Sequence, residues 1–282
     1  MLRFKMDTVY LNHFFVTLDP ESYKAIESSP FLRDEFAPFE QRTTVRQDIT
    51  YTGSYFYGEH TYFEFFEAGR GLSREVGASG LAFGVEATGA SARLQAQLKS
   101  ALNSPVATLP ITRRVGDRDV NWFFMTTAEH LPPTALLQTW VMEYRDSFLR
   151  DWYGELKPAT RGITRAEILE RYAAKIGEDD KRRQKFLEDV TEITLALPNA
   201  ERAQLVKMCE AFGYRVVAAP SGSRCEGPQV VFNLVAPTSD TRGITGVKFS
   251  LRYAKQGEKV YRFGKTILRF NDDRTALWSF QS

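Results

Sequence analysis

The feature that most constrains this chain is an order of segments that recurs along it: an apolar strand, a helix with an identifiable start, then strands joined by tight turns. Leu11 to Leu18 (LNHFFVTL) reads as the first strand. Asp19-Pro20-Glu21 then supplies an N-cap acceptor, a proline suited to the first helical position and an acid in the first turn, and Ser29-Pro30 ends the helix. Gln41 to Val45, Ile49 to Tyr57 and Thr61 to Phe66 follow as strands, the last two joined by a turn at Gly58-Glu59. The order is βαβββ, and its repetition makes the chain an α+β protein.

A second unit has a strand at Gly80 to Glu86, a helix capped by Ser91 with Leu94, Leu98 and Leu102 on one face, and strands at Val106 to Arg113 and Val120 to Thr127 about a Gly116-Asp117-Arg118 turn. Pro132-Pro133-Thr134 opens a different region. There Leu137, Trp140, Val141, Tyr144, Phe148 and Trp152 recur at three- and four-residue spacings, which reads as a helix whose apolar stripe serves the core or the interface of a homodimer. Thr164 and Glu167 are placed for a capping box at the start of another helix. A third unit begins with a strand at Thr191 to Leu197 and a helix from Asn199, and continues with strands to Phe280. The expected organisation is paired modules over residues 1–130, a helical connector over 131–188, and a third βαβββ-like module with an extra C-terminal hairpin over 189–282.

Length and charge narrow the function. A chain of 282 residues exceeds the usual single domain of roughly 100 to 200 residues. With 37 basic and 35 acidic residues there is no long-range field to gather polyanions, so nucleic acid is not an expected partner. The basic run Lys181 to Lys185 follows Glu178, Asp179 and Asp180 and reads as a solvated helix end. Two cysteines, Cys209 and Cys225, are too few for a disulfide framework and match no zinc spacing. No segment approaches the roughly 20 apolar residues that span a bilayer, and the N-terminal apolar run lacks a cleavage site, so the expectation is a cytoplasmic protein without membrane association. Walker, dinucleotide and nucleophile-elbow motifs are absent from the sequence, so no nucleotide cofactor is expected.

The segments LNHFFVTLDPESY, YTGSYFYGEHTYFEFFEAG and SGLAFGVEATG resemble paired βαβββ modules of the vicinal oxygen chelate superfamily, and in particular a bacterial branch that opens with a similar segment. That superfamily includes glyoxalases, ring-cleaving dioxygenases, epimerases and antibiotic-resistance proteins. The likeness covers about the first 130 residues, with a third echo from Val190 onward. It implies repeated βαβββ modules forming half-barrel sheets, here with an inserted helical segment, and metal ligands on the first and last strands of a module. His13 in LNHFF and Glu64 in YFEFF match those two places. Imidazole and carboxylate form a nitrogen/oxygen site suited to one divalent ion, Zn, Fe, Mn or Ni. The second module departs from the pattern, offering Leu81, Ala82 and Phe83, then Trp122, Phe123 and Phe124, with no donor among them. Glu192 of VTEIT holds in the third module the place of His13, and His60 and His130 are spare donors. The competing reading of His13 is a hydrogen-bonded core or rim histidine.

Further candidates come from alternation along strands. Arg42 and Arg46 share a face and could clamp a carboxylate or phosphate, or be ordinary edge charges. Tyr51, Tyr55 and Tyr57 could offer hydroxyls to a ligand or pack with their rings buried. The first functional expectation is a metal-assisted lyase, isomerase or dioxygenase acting on a small oxygenated molecule, with His13, Glu64 and His60 as metal ligands and Glu192 or Tyr62 handling protons. The second is a metal-free protein that sequesters a small molecule in an aromatic cavity.

Overall fold

The computed structural model describes residues 7–70, 72, 75–129, 135–154, 162–178 and 180–281. The first unit runs β1 (Tyr10–Leu18), α1 (Pro20–Glu27), β2 (Phe39–Val45), β3 (Thr50–Tyr57) and β4 (Tyr62–Glu67). The cap of α1 is the expected one: the Asp19 carboxylate accepts from the Ser22 N–H, and Pro20 stands in the first turn. The second unit runs β5 (Ser79–Val85), α2 (Ala90–Leu102), β6 (Val106–Val115), β7 (Arg118–Ala128) and β8 (Leu137–Tyr144). Here Ser91 is not the cap. Gly89 is, and the Glu143 carboxylate accepts from the N–H groups of Gly89 and Ser91 at 2.6 and 2.7 Å, so a side chain from β8 closes the helix start.

The segment expected as one helix over Leu137 to Trp152 is a strand followed by a short helix, α3 (Phe148–Tyr153). β8 lies between β5 and β7 and buries residues on both faces, Leu137, Val141, Met142 and Tyr144 among them. A strand covered on both faces reads as a nearly continuous apolar run, which three- and four-residue spacings fit as well as alternation does. The stripe therefore serves the chain's own core. Helix α4 (Arg165–Lys175) has the expected capping box of Thr164 and Glu167. The Pro132-Pro133-Thr134 motif and His130 lie outside the described residues.

The C-terminal units run β9 (Leu187–Ala196), α5 (Asn199–Ala211), β10 (Arg215–Ala219), β11 (Gly222–Glu226) and β12 (Val231–Val235), then β13 (Gly243–Leu251), β14 (Val260–Phe263), β15 (Thr266–Phe270) and β16 (Thr275–Ser279). What reads in sequence as an extra hairpin is four strands, a fourth unit that lacks a helix. Its missing crossover has a geometric consequence. In the first three units the helix carries the chain back along the sheet, so β1 and β4, β5 and β8, and β9 and β12 pair in parallel. A loop replaces the helix after β13, and β16 pairs with β13 antiparallel.

The chain is thus built of repeated βαβββ modules in two eight-stranded sheets of the same strand order, β2-β3-β4-β1-β5-β8-β7-β6 and β10-β11-β12-β9-β13-β16-β15-β14. One face of each sheet meets the other in a shared core. Phe63 lies 5.3 Å from Phe249, Phe65 5.0 Å from Trp278 and Phe83 5.8 Å from Phe232 between ring centroids, and α1, α2 and α5 add Ile26, Leu98 and Leu205. The first sheet curls until its edges touch: Arg46 bridges to Arg113, and Gln47 bonds the Pro110 carbonyl and the Thr112 hydroxyl. Its inner face is stopped at one end by Phe148 and Trp152 of α3 and Tyr172 of α4. Among the described residues, no helix is long and apolar enough to cross a membrane.

Candidate functional site

Strand alternation would send Asn12 and His13 to opposite faces of β1. A bulge prevents this: Leu11 pairs with Phe83 and His13 with Ala82, so Asn12 is the extra residue. Leu11 and Phe14 join the shared core on the outer face. Asn12 and His13 are buried on the inner side, where the Asn12 Oδ1 accepts from the His13 Nδ1 at 2.8 Å. That bond leaves Nε2 bare.

Glu64 reaches the same place from β4, which runs parallel to β1 with Phe15 beside Glu64. The His13 Nε2 and Glu64 Oε1 atoms are 3.8 Å apart. The separation is within reach of an ion pair, but it is too long for a hydrogen bond, and burial favours the uncharged form of both groups. Burial first, then the charge of Arg42, lowers the imidazole to about 3. Burial raises the Glu64 carboxyl to about 8, against the opposing pull of Arg42 and a hydrogen bond from Tyr62. The pair is neutral at pH 7. The His13 ring stacks on Tyr62 with centroids 4.3 Å apart and meets Trp140 edge-on at 5.4 Å.

His13 and Glu64 line a cavity of about 580 Å³ with Phe15, Tyr51, Met125 and Trp140 as walls and Arg46, Asp48, Thr127 and Gln138 as polar lining. A volume of this size suits a small organic molecule. Gly80 keeps one wall thin, because a Cβ there would stand 2.2 Å from Cε1 of Phe15.

The remaining expected residues divide. Arg46 and Tyr51 line the cavity, but Arg46 is engaged by Asp48 in two bonds of 2.8 and 2.6 Å. Arg42 lies behind it, over the Tyr55 ring at 4.0 Å, bonded to Glu40, Thr44 and the Tyr57 hydroxyl. Tyr57 also donates to Glu40 at 2.6 Å, so Tyr55 and Tyr57 support Arg42 rather than face the cavity. Tyr62 stands against His13. His60 is elsewhere, on the β3–β4 turn, with its Nδ1 3.0 Å from Asp189 Oδ2 of β9, a hydrogen bond that raises its pKa. Glu192 bonds Arg224 at 3.2 Å on the face of the second sheet turned away from the shared core. Sequence reasoning missed Asn12, Trp140 and Met125. The bulge hides Asn12 from strand alternation, and Trp140 lies on β8, whose spacings read as a helix in sequence.

Residues 11–280 match the model of a family of unknown function, DUF5829. The chain belongs to that family. No curated protein matches it. Among solved structures, a hypothetical protein from Staphylococcus aureus is 9% identical, with a TM-score of 0.54 over 95% of this chain and 97% of that one, which shows a common fold. A xylose isomerase-like TIM barrel/4-hydroxyphenylpyruvate dioxygenase fusion protein is 10% identical, with a TM-score of 0.43 over 88% of this chain and 37% of that one.

The donor set decides how a metal would be held in this family member. Ala82 stands opposite His13, and Met142, which pairs with Gly84 two residues on, holds the second-module place that Glu64 holds in the first. Among the described residues no group of three or more His, Cys, Asp and Glu side chains converges. An ion here would have two ligands among the described residues, His13 and Glu64, with the Arg42 charge nearby, fewer than the three or four that fix a structural or catalytic centre.

Proposed function

We propose that the chain binds a small oxygenated organic molecule in the first half-barrel, with His13 and Glu64 as the polar pair that fixes it and aromatic side chains as its walls, and that this binding needs no metal. The observation that carries this is the His13–Glu64 pair at 3.8 Å in the lining of a cavity of about 580 Å³. A bare imidazole nitrogen accepts a hydrogen bond and a neutral carboxyl donates one, so the pair complements a group that has both a donor and an acceptor. The sequence resemblance to the vicinal oxygen chelate superfamily and the repeated βαβββ fold support the same placement of a ligand. Titration with benzamide and with phenol, followed by tryptophan fluorescence, tests it. Saturable quenching that weakens in His13→Ala and Glu64→Ala and is reduced in Trp140→Phe is the expected result; quenching that survives both pair variants places the ligand elsewhere.

A second reading keeps the metal. The Asn12 bond to Nδ1 is the kind of outer contact that orients a ligating imidazole, and it favours a site in which His13 Nε2 and Glu64 hold a divalent ion, water completes the set and Tyr62 moves protons. Metal analysis of tag-free protein separates the two. Near-stoichiometric transition metal that the His13→Ala, Glu64→Ala double variant lacks supports the second; metal-free protein that binds benzamide supports the first.

A further inference from the structure

The bulge in β1 does more than turn His13 inward. It brings Asn12 to the same side, where its Oδ1 is directed at His13 Nδ1, 2.8 Å away. Gly84 of β5 makes the space: a Cβ there would stand 3.1 Å from Asn12 Cβ and 3.2 Å from its Nδ2. Asn12 and His13 are both buried, so water does not compete for this bond. An amide oxygen can only accept, so with Oδ1 facing Nδ1 the imidazole proton sits on Nδ1.

We infer that Asn12 is a positioning residue that fixes His13 in the Nδ1–H tautomer, so that the cavity is offered a hydrogen-bond acceptor at Nε2, and that the ligand therefore meets His13 with an N–H or O–H donor. The inference rests on the proposal that a ligand meets His13, and it adds which chemistry the ligand must bring. A primary amide or a hydroxyl satisfies Nε2. An ether, a ketone or a carboxylate, which present only acceptors, leaves it unpaired, and an unpaired buried group weakens binding. Benzamide and its N,N-dimethyl derivative differ in this one respect at the polar end, with added bulk that acetophenone lacks.

The test begins on the free protein. Nitrogen-15 NMR of histidine-labelled protein is expected to show one histidine, absent in His13→Gln, with a protonated Nδ1 and a bare Nε2. Asn12→Leu is expected to abolish that pattern, and Asn12→Asp, which keeps an acceptor at the same place, to retain it. Asn12→Ala, which removes the acceptor without adding bulk, supplies the same readout if Asn12→Leu does not fold. Wild-type His13 protonated on Nε2, or an unchanged tautomer in both Asn12→Leu and Asn12→Ala, would overturn the inference. Binding is expected to fall by roughly tenfold from benzamide to acetophenone in the wild type, and this preference to vanish in Asn12→Leu. Equal affinity for the two probes with the Nδ1–H tautomer intact overturns the donor requirement. Failure of both probes to bind at saturating concentration, with the tautomer as described, overturns the proposed binding function and leaves the role of Asn12 standing.

Discussion

The two sheets share one strand order and one core, yet the faces they turn away from that core are built for opposite ends. In the first, the inner face is curled shut and holds His13 and Glu64 beside aromatic rings. In the second, strand register puts Glu192 at the place of His13 and Asn233 at the place of Glu64, since Glu192 pairs with Val231 at the start of β12 and Asn233 pairs with Thr194. Both bond one arginine: Arg224 reaches Glu192 at 3.2 Å and Asn233 at 3.1 Å. Arg224 in turn occupies the place of Tyr55, and Lys248 that of Ala82. The same backbone frame therefore carries a buried, neutral pair in one sheet and a half-exposed, charge-paired cluster in the other. Topology offers the position, and the side chains around it decide whether it becomes a site.

The largest effect should come from what the sheets have in common. Trp278 is fully buried between them, with its Nε1 donating to Thr266 at 3.0 Å. Trp278→Ala is expected to cost about 3–5 kcal/mol, with probes in both sheets unfolding in one transition in urea; separate transitions would break the idea of a shared core.

The next tests where the sheets differ. The Glu64 carboxyl is raised to about 8 from 4.5. The folded state then holds a proton that the unfolded state has released, so its contribution is fully present below about pH 4.5 and is lost as pH rises through about 8. His13 runs the other way, its contribution lost as pH falls from 6.5 toward about 3. Glu64→Gln should remove the alkaline loss, which is on the order of a few kcal/mol between pH 5 and 9. Parallel urea stability curves for wild type and variant would contradict the burial of a neutral acid.

A matched glycine pair sharpens the contrast. Gly80 pairs with Phe15 in the first sheet, and Gly246 pairs with Thr194 at the corresponding place in the second. A Cβ at Gly80 meets the Phe15 ring at 2.2 Å, whereas one at Gly246 has nothing nearer than 3.8 Å. Gly80→Ala is expected to cost about 1–3 kcal/mol and to weaken benzamide binding, and Gly246→Ala to be neutral or to stabilise by up to about 1 kcal/mol. The smallest effect is that of Arg224→Ala, about 1 kcal/mol or less, because its ion pairs are half-exposed. Thermal or urea unfolding ranks all three.

Much of this was legible in the sequence where local chemistry acts alone. Asp19-Pro20 and Thr164/Glu167 announce their helices because caps are short-range bonds. Glu64 was legible because the resemblance implies a ligand on the last strand of the first module, and β4 keeps its register with β1 without a bulge. Asn12 was not, because a bulge is a two-strand event that needs β5 opposite. Nor was β8, where burial on both faces erases the period by which a strand is told from a helix. The fourth module was hidden by its missing helix, and the quiet fate of His60 and Glu192 by partners, Asp189 and Arg224, that lie far along the chain or across two strands.

The most direct measurement is a crystal structure of the protein soaked with benzamide. The expected result is one molecule in the first half-barrel, its amide N–H on His13 Nε2 and its oxygen at Glu64, with nothing bound over Arg224 of the second sheet. Benzamide over Arg224, or an empty first cavity at saturating concentration, would contradict the assignment of the site to His13 and Glu64.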